Sequence, residues 1–198
     1  TVDLVEAMIK AGNTANKKGI PIILDVCGAG ATHLRNEKCF ELLDTLKIGI
    51  IKGNSSEIAR IAGENVRTQG VDSTDTGLNT VEIAKQLADQ RKSTVVVTGA
   101  TDIVTGAGKT FLIKTGHPLM ASVVGTGCMA ASVIGTFAAV EKDLATASAC
   151  GLACYEIAAE MAAEKTNAPG SFKTRLYDEI YLLQKESVEK RMKIEILS

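Results

Sequence analysis

Four consecutive residues, Gly125-Thr126-Gly127-Cys128, carry the clearest chemical signal in the chain. They stand directly before Met129-Ala130-Ala131-Ser132-Val133-Ile134, which reads as a helix, so successive backbone N–H groups would point outward from a helix N-terminus. Such groups stabilise negative charge, including the charge that grows during phosphoryl transfer. Cys128, in the first turn, would sit in the same field. A Gly-x-Gly turn before a helix also serves as a packing device, so the motif gains weight from what accompanies it. Asn54 and Glu57 form an Asn-x-x-Glu set one helical turn apart at a strand-to-helix turn, and Asp25 ends the preceding strand. One or two carboxylates suffice for a magnesium ion bound to phosphates, directly or through water. Without a ligand, Glu57 would be a solvated residue favoured by the helix dipole, and Asp25 a strand-end turn residue.

Two other glycine motifs fail on inspection. Gly28-Ala29-Gly30 follows a strand, but the third glycine of a dinucleotide fingerprint would fall at His33. Gly108-Lys109-Thr110 resembles the end of a P-loop, yet Ile103 occupies the upstream glycine position and the strand-like Phe111-Leu112-Ile113 follows in place of a helix. His117 is a lone loop histidine and is read as structural. Five cysteines with no CxxC pair argue against a zinc ribbon and against a secreted disulfide framework, which makes the cytoplasm the expected location. Cys150 and Cys154, four apart in an Ala-rich run, read as small core residues on one helix face.

Alternating elements must position these groups. Leu4, Val5, Met8, Ile9 and Ala15 recur at helical spacing, with Gly19 as a stop. Strands are expected at 20–24, 48–51 and 94–98, and a β-hairpin at 101–105 and 109–114 around Gly106-Ala107-Gly108. Helices are expected at 34–46, through Ile58, Ile61 and Ala62 behind an Asn54 or Ser55 cap, at 80–92, from Gly125 onward, at 143–165 and at 171–189. The polar stretch from 63 to 79 reads as a loop, and Met192 to Leu197 as an added edge strand. Strands alternating with helices predict βαβ units, a mostly parallel sheet covered on both faces, and a ligand site beyond the carboxyl ends of the strands.

Composition narrows the partners. Lys plus Arg number 22 and Asp plus Glu 23, with no basic block, and aromatics make up 4% without a single Trp, so nucleic acid is not an expected partner. The uncharged segment 118–140 contains Gly125, Gly127 and Gly135 among Ser and Thr, and reads as a turn and buried helix, not a membrane span. A start at Thr1-Val2-Asp3-Leu4, with neither an initiating Met nor a signal-peptide pattern, suggests a fragment.

The chain resembles the hydroxyethylthiazole kinase family of the ribokinase-like superfamily. The matching stretches are Ile20 to Asp25, Gly28-Ala29-Gly30-Ala31-Thr32, Lys52-Gly53-Asn54-Ser55-Ser56-Glu57, Val97-Thr98-Gly99, Gly116-His117-Pro118-Leu119, Val124 to Cys128 and Pro169-Gly170-Ser171-Phe172. The resemblance implies a single three-layer α/β/α domain over residues 1–198, lacking an N-terminal region that family members have. It also implies transfer of the γ-phosphoryl of ATP to the primary hydroxyl of 4-methyl-5-(2-hydroxyethyl)thiazole, with magnesium, in thiamine salvage, by a homotrimer that involves no membrane. Carried over by motif, Lys52, Asn54 and Thr98 would serve ATP, Asp25 and Glu57 would act through magnesium, and Gly125 would contact the thiazole alcohol. Thr126, Gly127 and Cys128 would form the anion hole, with Cys128 either a base or only part of the hole.

The chain departs from the family pattern in reading Asp25-Val26-Cys27-Gly28 for Asp-Pro-Val-Gly, and Lys52 for the usual Arg, which keeps the charge but loses the bidentate fork. Two other readings use the same features. A nucleotide-dependent NAD(P)H-hydrate dehydratase shares the fold and the glycine-rich turn but carries Asp at the position of Cys128. A non-catalytic nucleotide-binding subunit would account for the departures at Val26 and Lys52.

Overall fold

In the computed structural model, residues 2–63 and 76–197 are described. The chain runs α1 (Val2–Lys17), β1 (Ile23–Asp25), α2 (His33–Thr45), β2 (Ile50–Asn54), α3 (Ser55–Ala62), α4 (Thr76–Arg91), β3 (Thr94–Thr98), β4 (Asp102–Gly106), β5 (Lys109–Ile113), a 3₁₀ turn (Pro118–Ser122), α5 (Thr126–Ala138), α6 (Leu144–Ala163), α7 (Pro169–Leu182), α8 (Lys185–Arg191) and β6 (Ile194–Leu197). The strands form one sheet in the order β1-β2-β3-β4-β5-β6. Pairing is parallel from β1 to β3 and antiparallel from β3 to β6; tight connections join β3 to β4 and β4 to β5, whereas β6 returns beside β5 only after α5 to α8.

Side-chain alternation sends each strand's apolar residues to two separate cores. Ile50, Val96, Val104, Phe111 and Ile113 pack against α5, α6 and α7 on one face. Ile51, Val95, Val97 and Ile103 pack against α2, α3 and α4 on the other, with Val5 and Ile9 of α1 beside them. Residues on both sides of the pleat are apolar, so the sheet is covered twice and a three-layer α/β/α arrangement follows. No described helix is long and apolar enough to cross a membrane.

Several expected boundaries shift for local reasons. The first strand begins at Ile23 and not Ile20, since Pro21 has no N–H for a ladder and Ile20 is 53% exposed. β2 runs from Ile50 to Asn54, carrying Lys52 into the strand proper. α4 starts at Thr76, four residues before the expected start; the loop expected before it lies, over 64–75, outside the described residues. The expected helix 171–189 is two helices, because Leu183 and Gln184 are extended. That break turns the chain so that Arg191 pairs with Glu164, Lys193 with Glu160, and β6 with β5. The hairpin forms as read, with Ala107 and Gly108 both at positive φ in its two-residue turn, which is where the P-loop-like Gly108-Lys109-Thr110 lies.

Phe172, fully buried on α7, joins α7 to the α6 side of the core and lies 6.4 Å, ring to ring, from His117. Phe172→Ala is expected to cost about 3–5 kcal/mol. Urea unfolding followed by circular dichroism checks this: the midpoint falls while the slope stays unchanged.

Candidate active site

The carboxyl ends of β1, β2 and β3 open onto the N-terminus of α5. Asp25 and Lys52 are cross-strand partners in the parallel pair, so their side chains leave the same face of the sheet. Lys52 is buried, with 3% of its side chain exposed, and its Nζ donates to Asp25 Oδ2 at 2.9 Å; Asp25 keeps 22% exposure toward the crevice. A Cβ built on Gly127 would stand 3.5 Å from Lys52 Nζ. The ammonium therefore lies between the Asp25 carboxylate and the first turn of α5.

α5 starts without a side-chain cap. Gly125 is its N-cap at φ +99°, a left-handed conformation that favours glycine, and among the described residues no side chain bonds the first-turn amides. The first helical bond is Met129 N–H to the Gly125 carbonyl at 2.9 Å, so the N–H groups of Thr126, Gly127 and Cys128 have no partner within the helix. Thr126 is tied down instead through its hydroxyl, which donates to the Met120 and Val123 carbonyls, and its own carbonyl accepts from Tyr155 Oη at 3.0 Å. Burial pushes the Tyr155 hydroxyl well above the usual tyrosine range, so it stays a donor. Cys128 is exposed at the same turn.

Asn54 and Glu57 meet as a full capping box on α3. Asn54 Oδ1 accepts from Glu57 N–H at 2.9 Å, and Glu57 Oε2 accepts from Asn54 N–H at 2.8 Å. Glu57 Oε1 accepts from Gly28 N–H at 2.7 Å. Both carboxylate oxygens are thus engaged by backbone, and the carboxylate ties the turn after β1 to the start of α3. Gly53 must be glycine for this closeness, since a Cβ there would meet Val26 Cγ2 at 2.8 Å. Val26, in place of the family's proline, donates its N–H to the Lys52 carbonyl at 2.8 Å, a bond that proline cannot make.

Thr98, ending β3, donates weakly to the Gly53 carbonyl at 3.4 Å. It lines a cavity of about 610 Å³ together with Gly99, Asp102, Thr126, Gly127 and Glu156. The residues singled out from sequence therefore fall into two groups. Asp25, Lys52 and Gly127 meet directly, with Gly125, Thr126 and Cys128 on the same α5 turn, while Asn54 and Glu57 act on the backbone beside them. His117 behaves as expected of a structural residue: its Nδ1 accepts from Leu119 N–H at 3.2 Å and caps the 3₁₀ turn.

Sequence reasoning missed a buried acid pair at the back of the cavity. Asp102 and Glu156 are 4% and 5% exposed and hydrogen-bonded to each other; Asp102 also accepts from Gly99 N–H at 2.6 Å, and Glu156 from Thr115 Oγ1 at 2.7 Å. Burial, then the neighbouring Asp102, pushes the Glu156 carboxyl up to about 10, while burial raises Asp102 against the pull of its hydrogen bonds to Glu156 and Gly99. The available signal was Glu156 itself, an acid following the uncharged run 144–155 inside a helix that is buried almost throughout.

A family model described as the hydroxyethylthiazole kinase family matches residues 1–186. A protein of Methanosarcina mazei named hydroxyethylthiazole kinase is 45% identical over 197 residues, spanning 100% of this chain and 76% of its own length. One of the same name from Thermoanaerobacter pseudethanolicus is 44% identical over 197 residues, spanning 98% of this chain and 75% of its own. The solved structure of a hydroxyethylthiazole kinase from Pyrococcus horikoshii superposes with a TM-score of 0.88 at 35% identity, over 98% of this chain and 72% of that one. With the match running through the α5 turn and all three strand ends, the chain belongs to the hydroxyethylthiazole kinase family.

Proposed function

We propose that this chain transfers the γ-phosphoryl group of ATP to the primary hydroxyl of 4-methyl-5-(2-hydroxyethyl)thiazole, as a magnesium-dependent kinase of thiamine salvage. The observation that carries the reading is the buried Lys52 ammonium, 2.9 Å from Asp25 and set against Gly127 at the uncapped start of α5. Together they form a place where phosphoryl oxygens would meet a cation and oriented backbone N–H groups, both fixed before the reaction begins.

Each residue then has a role. Lys52 and Thr98 hold ATP phosphates, and Asn54 supports them by fixing the start of α3. Gly125, without a side chain, leaves room for the alcohol at the α5 turn, while Thr126, Gly127 and Cys128 present N–H groups to the charge developing on the transferred group. Cys128 Sγ, exposed at that turn, would either take the hydroxyl proton as a thiolate or serve only as part of the anion hole. Phosphoryl transfer depends mainly on positioning and charge, so a weak base suffices. The donor set fits magnesium: Asp25 faces the crevice, and each Glu57 oxygen keeps a lone pair beyond its amide bond, directly or through water. A magnesium ion held there would neutralise charge on the ATP phosphates. The same reading takes residues 1–198 as one domain working in a cytoplasmic homotrimer, with neither nucleic acid nor membrane as partner.

The test is ADP release from magnesium-ATP with and without the thiazole alcohol. Thiazole-dependent release supports the kinase, whereas release driven only by hydrated nicotinamide nucleotide, or nucleotide binding with no turnover, overturns it. Cys128→Ala is expected to lower kcat by about 10²-fold, as loss of a positioned group at an anion hole does, while leaving the calorimetric affinity for ATP within about twofold. Glu57→Gln can accept from only one of the two amides with its single carbonyl oxygen. It is expected to lose about 1–3 kcal/mol of folding stability even in EDTA, read from urea unfolding, because the amide left over is unsatisfied whether or not metal is present.

A further inference from the structure

We propose that Asp102 and Glu156 are positioning residues that share one proton and clasp the turn after β3 to α6, holding Thr98 and Gly99 at a fixed distance from the α5 N-terminus. This inference rests on the phosphoryl-transfer reading above. Neither acid belongs to the set of groups assigned there.

The argument starts from connectivity. Asp102 opens β4 and accepts from the Gly99 amide, so it closes the 99–102 turn directly behind Thr98. Glu156 lies on α6, accepts from the Thr115 hydroxyl and donates its carboxyl O–H to Asp102. Its chain neighbour Tyr155 donates to the Thr126 carbonyl in the first turn of α5. Two successive residues of α6 thus grip the two elements that line the cavity from opposite sides, one through a phenol and one through an acid. α6 acts as a spacer between the end of β3 and the anion-binding turn. Two buried carboxylates in contact cannot both ionise, and one proton between them converts a repulsion into a hydrogen bond.

The surroundings leave the proton in place. Lys52 of β2 faces Asp102 but is paired with Asp25, and Glu160, one turn along α6, adds negative charge that favours a protonated Glu156. Among the other groups lining the cavity, Lys114 turns its ammonium to Glu195 at 2.5 Å, His117 accepts from a backbone amide, and Tyr155 stays protonated. The clasp is therefore complete at neutral pH. It is lost as pH rises toward the value near 10 at which Glu156 ionises.

Glu156→Gln keeps a donor toward Asp102 and an acceptor for Thr115 without needing the proton, whereas Glu156→Ala leaves Asp102 buried and half-satisfied. Glu156→Ala is expected to raise the KM for ATP about tenfold, with the KM for the thiazole alcohol moved less than about twofold, and Glu156→Gln to restore both. Between pH 8 and 10.5, across the value near 10 at which Glu156 ionises, the KM for ATP should climb in the native chain and stay flat in Glu156→Gln. Hydrogen exchange at the Gly99 amide reads the clasp without turnover: it should run at least about tenfold faster in Glu156→Ala than in the native chain or Glu156→Gln. Unchanged Gly99 exchange in Glu156→Ala, or Glu156→Gln behaving like Glu156→Ala, overturns the inference. If Glu156→Ala does not fold, the pH comparison decides, and equal alkaline climbs in the native chain and Glu156→Gln overturn it. Absence of thiazole-dependent ADP release from the native chain would overturn the proposed function alone, because the Gly99 measurement would still show whether the clasp exists.

Discussion

A lysine ammonium with only 3% of its side chain exposed is costly to desolvate unless a countercharge meets it, and at Lys52 the countercharge is Asp25 at 2.9 Å. Much of the architecture around the crevice follows from that pair. The two residues can meet because β1 and β2 run parallel in a register that sets them side by side on one face. The parallel register, in turn, requires a crossover helix between the strands, which α2 supplies. On the same face, the start of α5 lies over the ammonium, close enough that a Cβ on Gly127 would be in ordinary van der Waals contact with it. Removing Asp25 would leave the buried Lys52 ammonium without that partner at the point where three elements converge.

Much of this was legible from residue types alone. On the face that packs against α5, α6 and α7, Ile50, Val96 and Val104 give way toward the carboxyl ends of the parallel strands to Asp25, Lys52, Thr98 and Asp102. That alternation appears in the sequence as apolar runs that end in single polar residues, which is why the strands, the hairpin and the polar ends could be placed. The capping box was equally visible, since Asn54 and Glu57 lie three residues apart and their bonds are local.

Other features depended on contacts distant in the chain. Pro21 shortened β1 despite an apolar run, because a ladder needs N–H groups as well as side chains. No glycine or proline announces the break at Leu183 and Gln184, and the pairs that follow it, Arg191 with Glu164 and Lys193 with Glu160, join residues 27 and 33 apart in the chain. Asp102 and Glu156 were hidden for the same reason. Asp102 is unremarkable at its hairpin start, Glu156 stands out only against the uncharged run before it, and only the packing of α6 against β4 brings them together.

The charges of the site combine into a single electrostatic design. Asp25 and Lys52 neutralise each other, Glu57 spends both oxygens on backbone amides, and Asp102 with Glu156 carries one negative charge for two acids. In the chain alone, formal side-chain charge in the crevice is thus held in pairs or used to position the backbone. The row of N–H groups at Thr126, Gly127 and Cys128 adds a positive field that comes from the α5 backbone and needs no titratable group. A field of that origin does not change with pH or with side-chain rotation. In the proposed reaction, where charge must be met at a fixed place as it moves from ATP to the acceptor, a rigid backbone dipole is better suited to that task than a mobile cation.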